Sequence, residues 1–259
     1  MTDISGDTPV PPGWRLLTHV GVGAAAGLAL DEAMLAGYAR DGDPAWPPTL
    51  RLYTYQSHCA LVGRYQHLEA EVDLEACHRT GTAYSRRPTG GGAIVMGAGQ
   101  LGVAVATRAP AEQNPRELLG RYAEGIVAGL AELGIEATFA GKNDLSVGGR
   151  KIAGLGLYLD PGGGLLFHSS ILADLDIEFM LDVLNIPAAK LGDKAVAVVA
   201  ERITTVTRET GRSVDGVDIR DVIATGFAKA LGVELSPGDT TEDEEARAAR
   251  LETERYGSE

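Results

Sequence analysis

The alternation of apolar and polar residues predicts short strands and hairpins interspersed with amphipathic helices. Apolar residues three, four and seven positions apart predict helices at 24–39, 74–80, 115–133, 177–184, 219–231 and 242–255. Strand propensity and turn residues predict strands at 14–20, 49–55, 59–63, 82–86, 93–96, 101–107, 144–147, 150–159 and 165–172. Hairpins mixed with helices indicate an α+β fold, with a mixed, largely antiparallel sheet flanked by helices.

Glycine-rich turns join the strands of the second half of the chain. Such turns occur at 148–149 and 160–164, between three consecutive strands. Lys151 and His168 are therefore predicted to lie on adjacent antiparallel strands.

Changes of composition predict how the chain is organised. Residues 1–13 are rich in proline and glycine and are expected to form a flexible lead-in. Residues 14–214 contain the predicted strands and are expected to form one main domain. Residues 215–259 are expected to form a small helical C-terminal segment.

Charge and hydropathy narrow the possible partners. The 259-residue chain has a formal net charge of −13, whereas nucleic acids and anionic membranes bind positive surfaces, so neither is an expected partner. No apolar run reaches the roughly 20 residues that a membrane span needs, and the N-terminal sequence does not resemble a secretion signal. A cytoplasmic location is expected.

Cys59 and Cys77 are the two cysteines of the chain. With no secretion signal, they are expected to be reduced, buried thiols. Neither they nor the five histidines have the spacing of metal ligands, so no structural zinc is expected.

Two segments carry the candidate chemistry. Arg86 and Arg87 precede three glycines at 90–92, so a sharply bent backbone can offer its N–H groups to an oxyanion beside fixed cations. Lys151 follows two glycines and an arginine on a predicted strand, after Asn143 and Asp144. Together they indicate a site for an acyl phosphate or adenylate.

Several segments, in the same order, resemble the lipoate-protein ligase and octanoyltransferase family. The matching sequences are Leu-Ala-Leu-Asp-Glu at 28–32, Val-Gly-Arg-Tyr-Gln at 62–66, Arg-Arg-Pro-Thr-Gly-Gly-Gly-Ala at 86–93, Asn-Asp-Leu at 143–145, Gly-Arg-Lys-Ile-Ala-Gly at 149–154, the strand with His168, and Lys190 to Lys194 followed by Glu-Arg-Ile-Thr at 201–204. Matches spaced over most of the chain are far more specific than a single glycine-rich loop.

The resemblance, nearer to the ligases, implies a biotin/lipoate ligase-like catalytic domain, similar to class II synthetases. The implied reaction is ATP-dependent attachment of lipoate to a lysine of a lipoyl carrier domain through lipoyl-AMP, with ATP and Mg²⁺ as cofactors. The implied carrier is the E2 component of a 2-oxoacid dehydrogenase or a protein like the glycine-cleavage H protein. An accessory domain protein is a further implied partner.

The resemblance also implies roles for individual residues. Lys151 is the implied catalytic residue, which contacts the acyl phosphate and then the acyl-adenylate carbonyl. Asp144 is implied as a nucleotide and magnesium contact, although a residue that only starts a hairpin is the competing interpretation. A packed, satisfied histidine is the competing interpretation of His168. The other implied binding residues are Arg64, Arg86, Arg87, Gly90, Gly91, Gly92, Asn143, Gly154 and His168.

The chain departs from the family pattern at several places. Met96 stands where the ligases commonly have histidine, and Leu155-Gly156 replaces a Ser-Ala pair. Residues 137–140 contain no cysteine, whereas the octanoyltransferases carry a nucleophilic cysteine shortly before the matching lysine. This departure argues against a covalent acyl-cysteine mechanism.

Three other functions remain open at this point. The chain could transfer an acyl group from an acyl carrier protein without ATP. It could be a carrier-binding protein with a decayed site, because of Met96 and Leu155. The glycines at 21–27 also follow a strand and open a helix, as in dinucleotide-binding proteins, but no ribose-binding acid stands about 20 residues further on.

Overall fold

The computed structural model describes residues 13–38, 44, 46–110, 114–186 and 194–257. The strands are β1 (Trp14–Val22), β2 (Thr49–Tyr55), β3 (Cys59–Val62), β4 (Ala83–Arg86), β5 (Ile94–Met96), β6 (Gln100–Arg108), β7 (Thr138–Ala140), β8 (Asp144–Val147), β9 (Arg150–Leu159), β10 (Gly164–Leu172) and β11 (Leu235–Pro237). The α-helices are α1 (Ala24–Ala33), α2 (Leu68–Glu71), α3 (Leu74–Thr80), α4 (Pro115–Glu132), α5 (Ile177–Val183), α6 (Ala195–Ala200), α7 (Val206–Thr210), α8 (Arg220–Leu231) and α9 (Glu242–Leu251).

The strands form one large and one small sheet. The large sheet has the order β11-β1-β2-β6-β10-β9-β8-β7, in which β1 is parallel to β2 and β11 and the other pairs are antiparallel. In the small sheet, β3 lies between β4, which is parallel to it, and β5, which is antiparallel. The predicted α+β fold with a mixed, largely antiparallel sheet is therefore confirmed.

The main core lies between the large sheet and the helices α4 and α8. Leu50, Phe167 and Ile126 are fully buried there. The two helices cross closely, since a Cβ added at Gly226 would lie 2.3 Å from the carbonyl oxygen of Gly125. The opposite face of the sheet carries α1, the small sheet and the chain end, around Leu28, Tyr55 and Leu166. This second face holds the candidate site.

The observed elements differ from the predicted ones mainly at helix ends and in short segments. The helix predicted at 24–39 changes to a 3₁₀ turn at Met34–Gly37, and the one predicted at 242–255 ends in a π-helical turn at Glu252–Tyr256. The elements α2, α6, α7, β7 and β11, of three to six residues each, were not predicted. Most of the predicted lead-in and residues 190–193 lie outside the described residues.

The C-terminal segment packs on the rest of the fold. The strand β11 pairs with β1 at the edge of the large sheet, and α9 lies against α1. Arg15 of β1 makes a buried ion pair with Glu244 of α9, with 2.5 Å between nitrogen and oxygen. The division of the chain at residue 214 stays a prediction.

Among the described helices, none combines the length and apolar character needed to cross a membrane.

Candidate functional site

A cleft lies between the glycine-rich loop, the strands β9 and β10, and α1 of the second face. The empty space of the cleft, with its open mouth included, is about 550 Å³. The apolar part of its wall comes from Leu28, Tyr53, Tyr55, Leu61, Ile94 and Met96. The polar part comes from Arg87, Asn143, Lys151, His168, Ser169 and Ser170.

A β-bulge aims Lys151 into this cleft. Leu145 of β8 pairs with Ala153, but Ser146 pairs with Lys151, so Ile152 is an extra residue on β9. Ile152 and Ala153 are both buried in the main core. Because the bulge interrupts the alternation of side chains, Lys151 faces the same side as Gly154, three residues later.

Gly154 leaves the space that the Lys151 side chain occupies. A Cβ at Gly154 would lie 3.2 Å from Nζ and 3.3 Å from Cε of Lys151. The backbone of Lys151 is also held by hydrogen bonds to a segment outside β8 and β9. Lys151 N–H donates to Arg202 O over 2.9 Å, and Thr204 N–H donates to Lys151 O over 2.8 Å. The spacing of lysine and glycine thus follows from the bulge and from close packing.

Lys151 is paired with Asp144 at the open side of the cleft. Its Nζ lies 2.8 Å from Asp144 Oδ1, and the two side chains are 35% and 40% exposed. Asn143 lies beside them and its amide donates to Leu155 O over 3.2 Å. An ammonium group at a half-open position can reach both the cleft and solvent.

The glycine-rich loop touches its surroundings through backbone atoms. Gly91 has a φ of +110°, which favours glycine, and a Cβ there would lie 2.7 Å from Arg87 Nη2. A Cβ at Gly63 would lie 2.1 Å from Gly91 O, and a Cβ at Gly156 would lie 2.9 Å from Thr89 Oγ1. The close packing of the loop therefore requires glycine at Gly63 and Gly156, which contact the loop, as well as at Gly91 within it.

The three candidate arginines have different places. Arg87 is buried and donates to the carbonyl oxygens of Leu61, Gly90 and Gly92 over 2.7 to 3.1 Å, so it holds the loop from beneath. Burial lowers the pKa of Arg87 to about 10, and the guanidinium still carries its charge at neutral pH. Arg86 points away and donates to the carbonyl oxygen of Gln66.

Arg64 stacks on an aromatic ring outside the cleft wall. Its guanidinium carbon lies 4.3 Å from the ring centre of Tyr158 on β9. Arg64 and Arg86 are therefore not among the residues that line the cleft. Of the two adjacent arginines, Arg87 is the one that lines the cleft.

A buried polar network lies behind the cleft. Asp31 of α1 accepts from Arg51 Nη1 over 2.6 Å and from Tyr53 OH over 3.0 Å. Its Oδ2 lies 3.0 Å from His168 Nε2, and His168 Nδ1 lies 3.1 Å from Thr89 Oγ1. Burial raises the pKa of Asp31, but the interactions with Arg51 and His168 outweigh it, so the net shift is downward.

The network engages both ring nitrogens of His168. The His168 ring forms part of the cleft wall and connects α1 to the glycine-rich loop through Asp31 and Thr89. Its role as a binding residue stays a prediction.

Neither cysteine lines the cleft. Cys59 and Cys77 are buried, and neither is among the described residues that line it. Burial also raises the pKa of the Cys59 thiol. A low-pKa thiolate is what a nucleophilic cysteine needs, so neither residue has the environment of one.

The structure thus brings together most of the residues singled out in the sequence. Lys151, Asp144, Asn143, Arg87 and the glycine-rich loop meet at the mouth of the cleft, with Gly154 beneath the lysine. The apolar wall from α1, β2, β3 and β5 was not predicted, because its residues come from segments far apart in the chain. The functional roles of these residues stay predictions.

The fold and this cleft define a class of enzymes that handle an acyl group. Residues 24–228 match the family described as the lipoyl protein ligase A/B catalytic domain, and the chain belongs to this family. The resemblance drawn from the sequence is therefore confirmed. The dinucleotide-binding interpretation has no support from this membership.

Relatives of this chain are named either octanoyltransferase or lipoate-protein ligase. Octanoyltransferase LipM of Symbiobacterium thermophilum is 34% identical and aligns over 94% of this chain and 96% of its own length. Octanoyltransferase LipM of Kyrpidia tusciae is 33% identical over 92% and 94%. Lipoate-protein ligase A subunit 1 of Thermoplasma acidophilum is 30% identical over 90% and 89%.

Two solved ligase structures are similar to this chain in fold. A bipartite lipoate protein ligase from Thermoplasma acidophilum, described with its E2 lipoyl domain, has a TM-score of 0.84 and 28% identity, covering 96% of this chain and 95% of its own. A lipoate-protein ligase A bound with ATP has a TM-score of 0.82 and 27% identity, covering 96% and 97%.

Proposed function

We propose that this protein transfers an octanoyl or lipoyl group to the side-chain amine of a lysine on a lipoyl domain. The observation that carries the proposal is the position of the Lys151 ammonium, at the mouth of an apolar cleft and beside the glycine-rich loop. An acyl chain fits the apolar wall, and its carbonyl then lies among the groups at the mouth.

The residues at the mouth suit direct acyl transfer. The neutral amine of the carrier lysine attacks the acyl carbonyl carbon, a C–N bond forms, and the bond to the leaving group breaks. The electron pair of that bond and the negative charge pass to the leaving group, and the amine loses a proton to it or to water. Lys151 and the loop N–H groups would stabilise the negative charge that develops, the kind of interaction that accelerates acyl transfer.

A carrier-bound octanoyl donor, used without ATP, is the better supported source of the acyl group. The sequence alone placed this source second, but relatives up to 34% identical are named octanoyltransferases. Cys59 and Cys77 are buried and do not line the cleft, which favours direct transfer over an acyl-cysteine intermediate.

ATP-dependent ligation is the second candidate. A relative 30% identical is named a ligase subunit, and a neighbour of 27% identity is bound with ATP. The described residues include no cluster of three or more metal-ligating side chains. Asp144 alone would suit only an Mg²⁺ already chelated by phosphates, and Lys151 with Arg87 would then supply charge for the nucleotide.

The proposed acceptor is a lipoyl domain, of an E2 component or of a protein like the H protein. Support comes from the Thermoplasma neighbour, which is described with its E2 lipoyl domain and as bipartite. Because that neighbour is bipartite, we also propose an accessory subunit for the ATP-dependent reaction. The lipoyl domain is the acceptor in both reactions.

Intact mass of a lipoyl domain tests the proposal. One reaction contains octanoyl-carrier protein without ATP, and another contains lipoate or octanoate with Mg-ATP. A lipoyl domain with its acceptor lysine changed to arginine is the control. Added acyl mass in the first reaction supports the transferase, and added mass only with ATP supports the ligase. No added mass in either, with an accessory subunit also supplied, contradicts the proposal and favours a binding role.

A further inference from the structure

Met96 is the last residue of β5 and lies four residues along the chain from Gly92 of the glycine-rich loop. At the mouth, a Cβ at Gly91 would lie 3.6 Å from Asn143 Nδ2, next to Asp144 and its partner Lys151. From Gly92 the chain enters β5 and runs four residues to Met96, roughly 13 Å if extended. Met96 is 2% exposed and lines the cleft.

The surroundings of Met96 are apolar. It belongs to the same buried cluster as Leu28 and Leu61, with Ile94 packed against the cluster, and all four line the cleft. The extended backbone of an octanoyl group, seven carbon–carbon bonds of about 1.5 Å, reaches roughly 9 Å. A chain of this length, with its carbonyl near Lys151, would place its last carbons against this cluster.

We propose that Met96 sets the length and the chemistry of the acyl tail that this protein accepts. This inference rests on the proposed function and names its substrate more closely: a straight acyl tail of about eight carbons with an apolar end, hydrocarbon or thioether-like. A thioether is polarizable and flexible and so packs against either kind of end. The difference from the family pattern at Met96 then affects recognition of the acyl tail and not the reaction at the acyl carbonyl.

The departure at Leu155 leads to the same conclusion. The Leu155 side chain is buried in the main core, and its N–H donates to Asn143 O over 2.8 Å. Its backbone thus holds Asn143 at the mouth, and Leu155 itself both packs in the core and lines the cleft. Neither departure removes a charged group from the mouth of the cleft.

The test is the chain-length profile of transfer. Hexanoyl, octanoyl, decanoyl and dodecanoyl donors are compared, in the donor form that the wild-type protein uses, for wild type, Met96→Ala and Met96→Phe. Because a buried methylene is worth about fourfold, Met96→Ala is expected to raise kcat/KM for decanoyl relative to octanoyl about fifteenfold. By the same measure, Met96→Phe is expected to shift the preference from octanoyl to hexanoyl, which is two methylenes shorter, by up to about fifteenfold.

Met180→Ala is the matched control. Met180 is buried in a different cluster, with Val183 and Val72, so this change removes the same side chain without touching the cleft. Each profile is a ratio within one preparation, and partial unfolding cancels from it. Unchanged profiles in both Met96 variants would overturn the inference alone. Absence of transfer by the wild type with every chain would overturn the proposed function and the inference with it.

Discussion

Substitution of Asp31 by asparagine removes the charge at the centre of the buried network. Asp31 and its partner Arg51 have side chains that are 0% and 1% exposed, and the loss of one partner from a buried ion pair costs roughly 3–5 kcal/mol. For a chain of this size each kcal/mol corresponds to roughly 2–4 °C in Tm. We expect Asp31→Asn to lower the Tm by about 6–20 °C.

The pH dependence gives a second readout of the same change. The pKa of Asp31 is lower in the folded protein than in the unfolded chain, so its contribution to stability is fully present above the unfolded pKa of about 4. It is lost as the pH falls through the folded value. Asp31→Asn should therefore flatten the fall of stability with acid below about pH 4.

The assay is thermal unfolding followed by circular dichroism from pH 3 to pH 7. Asp182→Asn is the control, because Asp182 pairs with Arg79 at an exposed position, with side chains 44% and 58% exposed. An exposed pair is worth roughly 0–1 kcal/mol. A Tm loss in Asp31→Asn no larger than in Asp182→Asn would refute the role given to the network.

Two further predictions concern the cleft. Gly154→Ala, which would place a Cβ 3.2 Å from Lys151 Nζ, should lower kcat about tenfold, since a displacement of about 1 Å can cost up to ~100-fold. Gly13→Ala, with no atom within 4 Å of its added Cβ, is the control in the same transfer assay, and equal rates would contradict the packing argument. Alkylation with iodoacetamide should leave the transfer rate unchanged, because Cys59 and Cys77 are buried. Modification of each thiol is measured by peptide mass. Loss of activity in proportion to the modification of either thiol would contradict direct transfer.

The sequence predicts the strands that carry the site better than it predicts the site itself. Strand patterns and glycine turns place Lys151 and His168 on adjacent antiparallel strands, and β9 and β10 pair in that way. The sequence pattern does not predict the bulge at Ile152, because the bulge depends on the pairing of β8 with β9 and on contacts with residues 202–204.

Contacts between distant segments account for the other differences. The apolar wall combines Leu28 of α1 with Tyr55 of β2 and Met96 of β5, and only the folded chain brings them together. The short elements β7 and β11 carry too few residues for a periodic pattern, and they form because the large sheet offers them an edge. The cytoplasmic location and the site roles stay predictions.

The most direct test of the central claim is the acyl transfer rate of Lys151→Ala. Transfer to the lipoyl domain is followed by intact mass, with the donor that the wild-type protein uses, while circular dichroism checks the fold. Lys229→Ala is the matched control, because Lys229 is exposed on α8 and pairs with Glu132. The account predicts that Lys151→Ala loses at least about 100-fold in rate, with the fold and the Lys229→Ala rate unchanged. A folded Lys151→Ala protein that transfers the acyl group at the wild-type rate would contradict it.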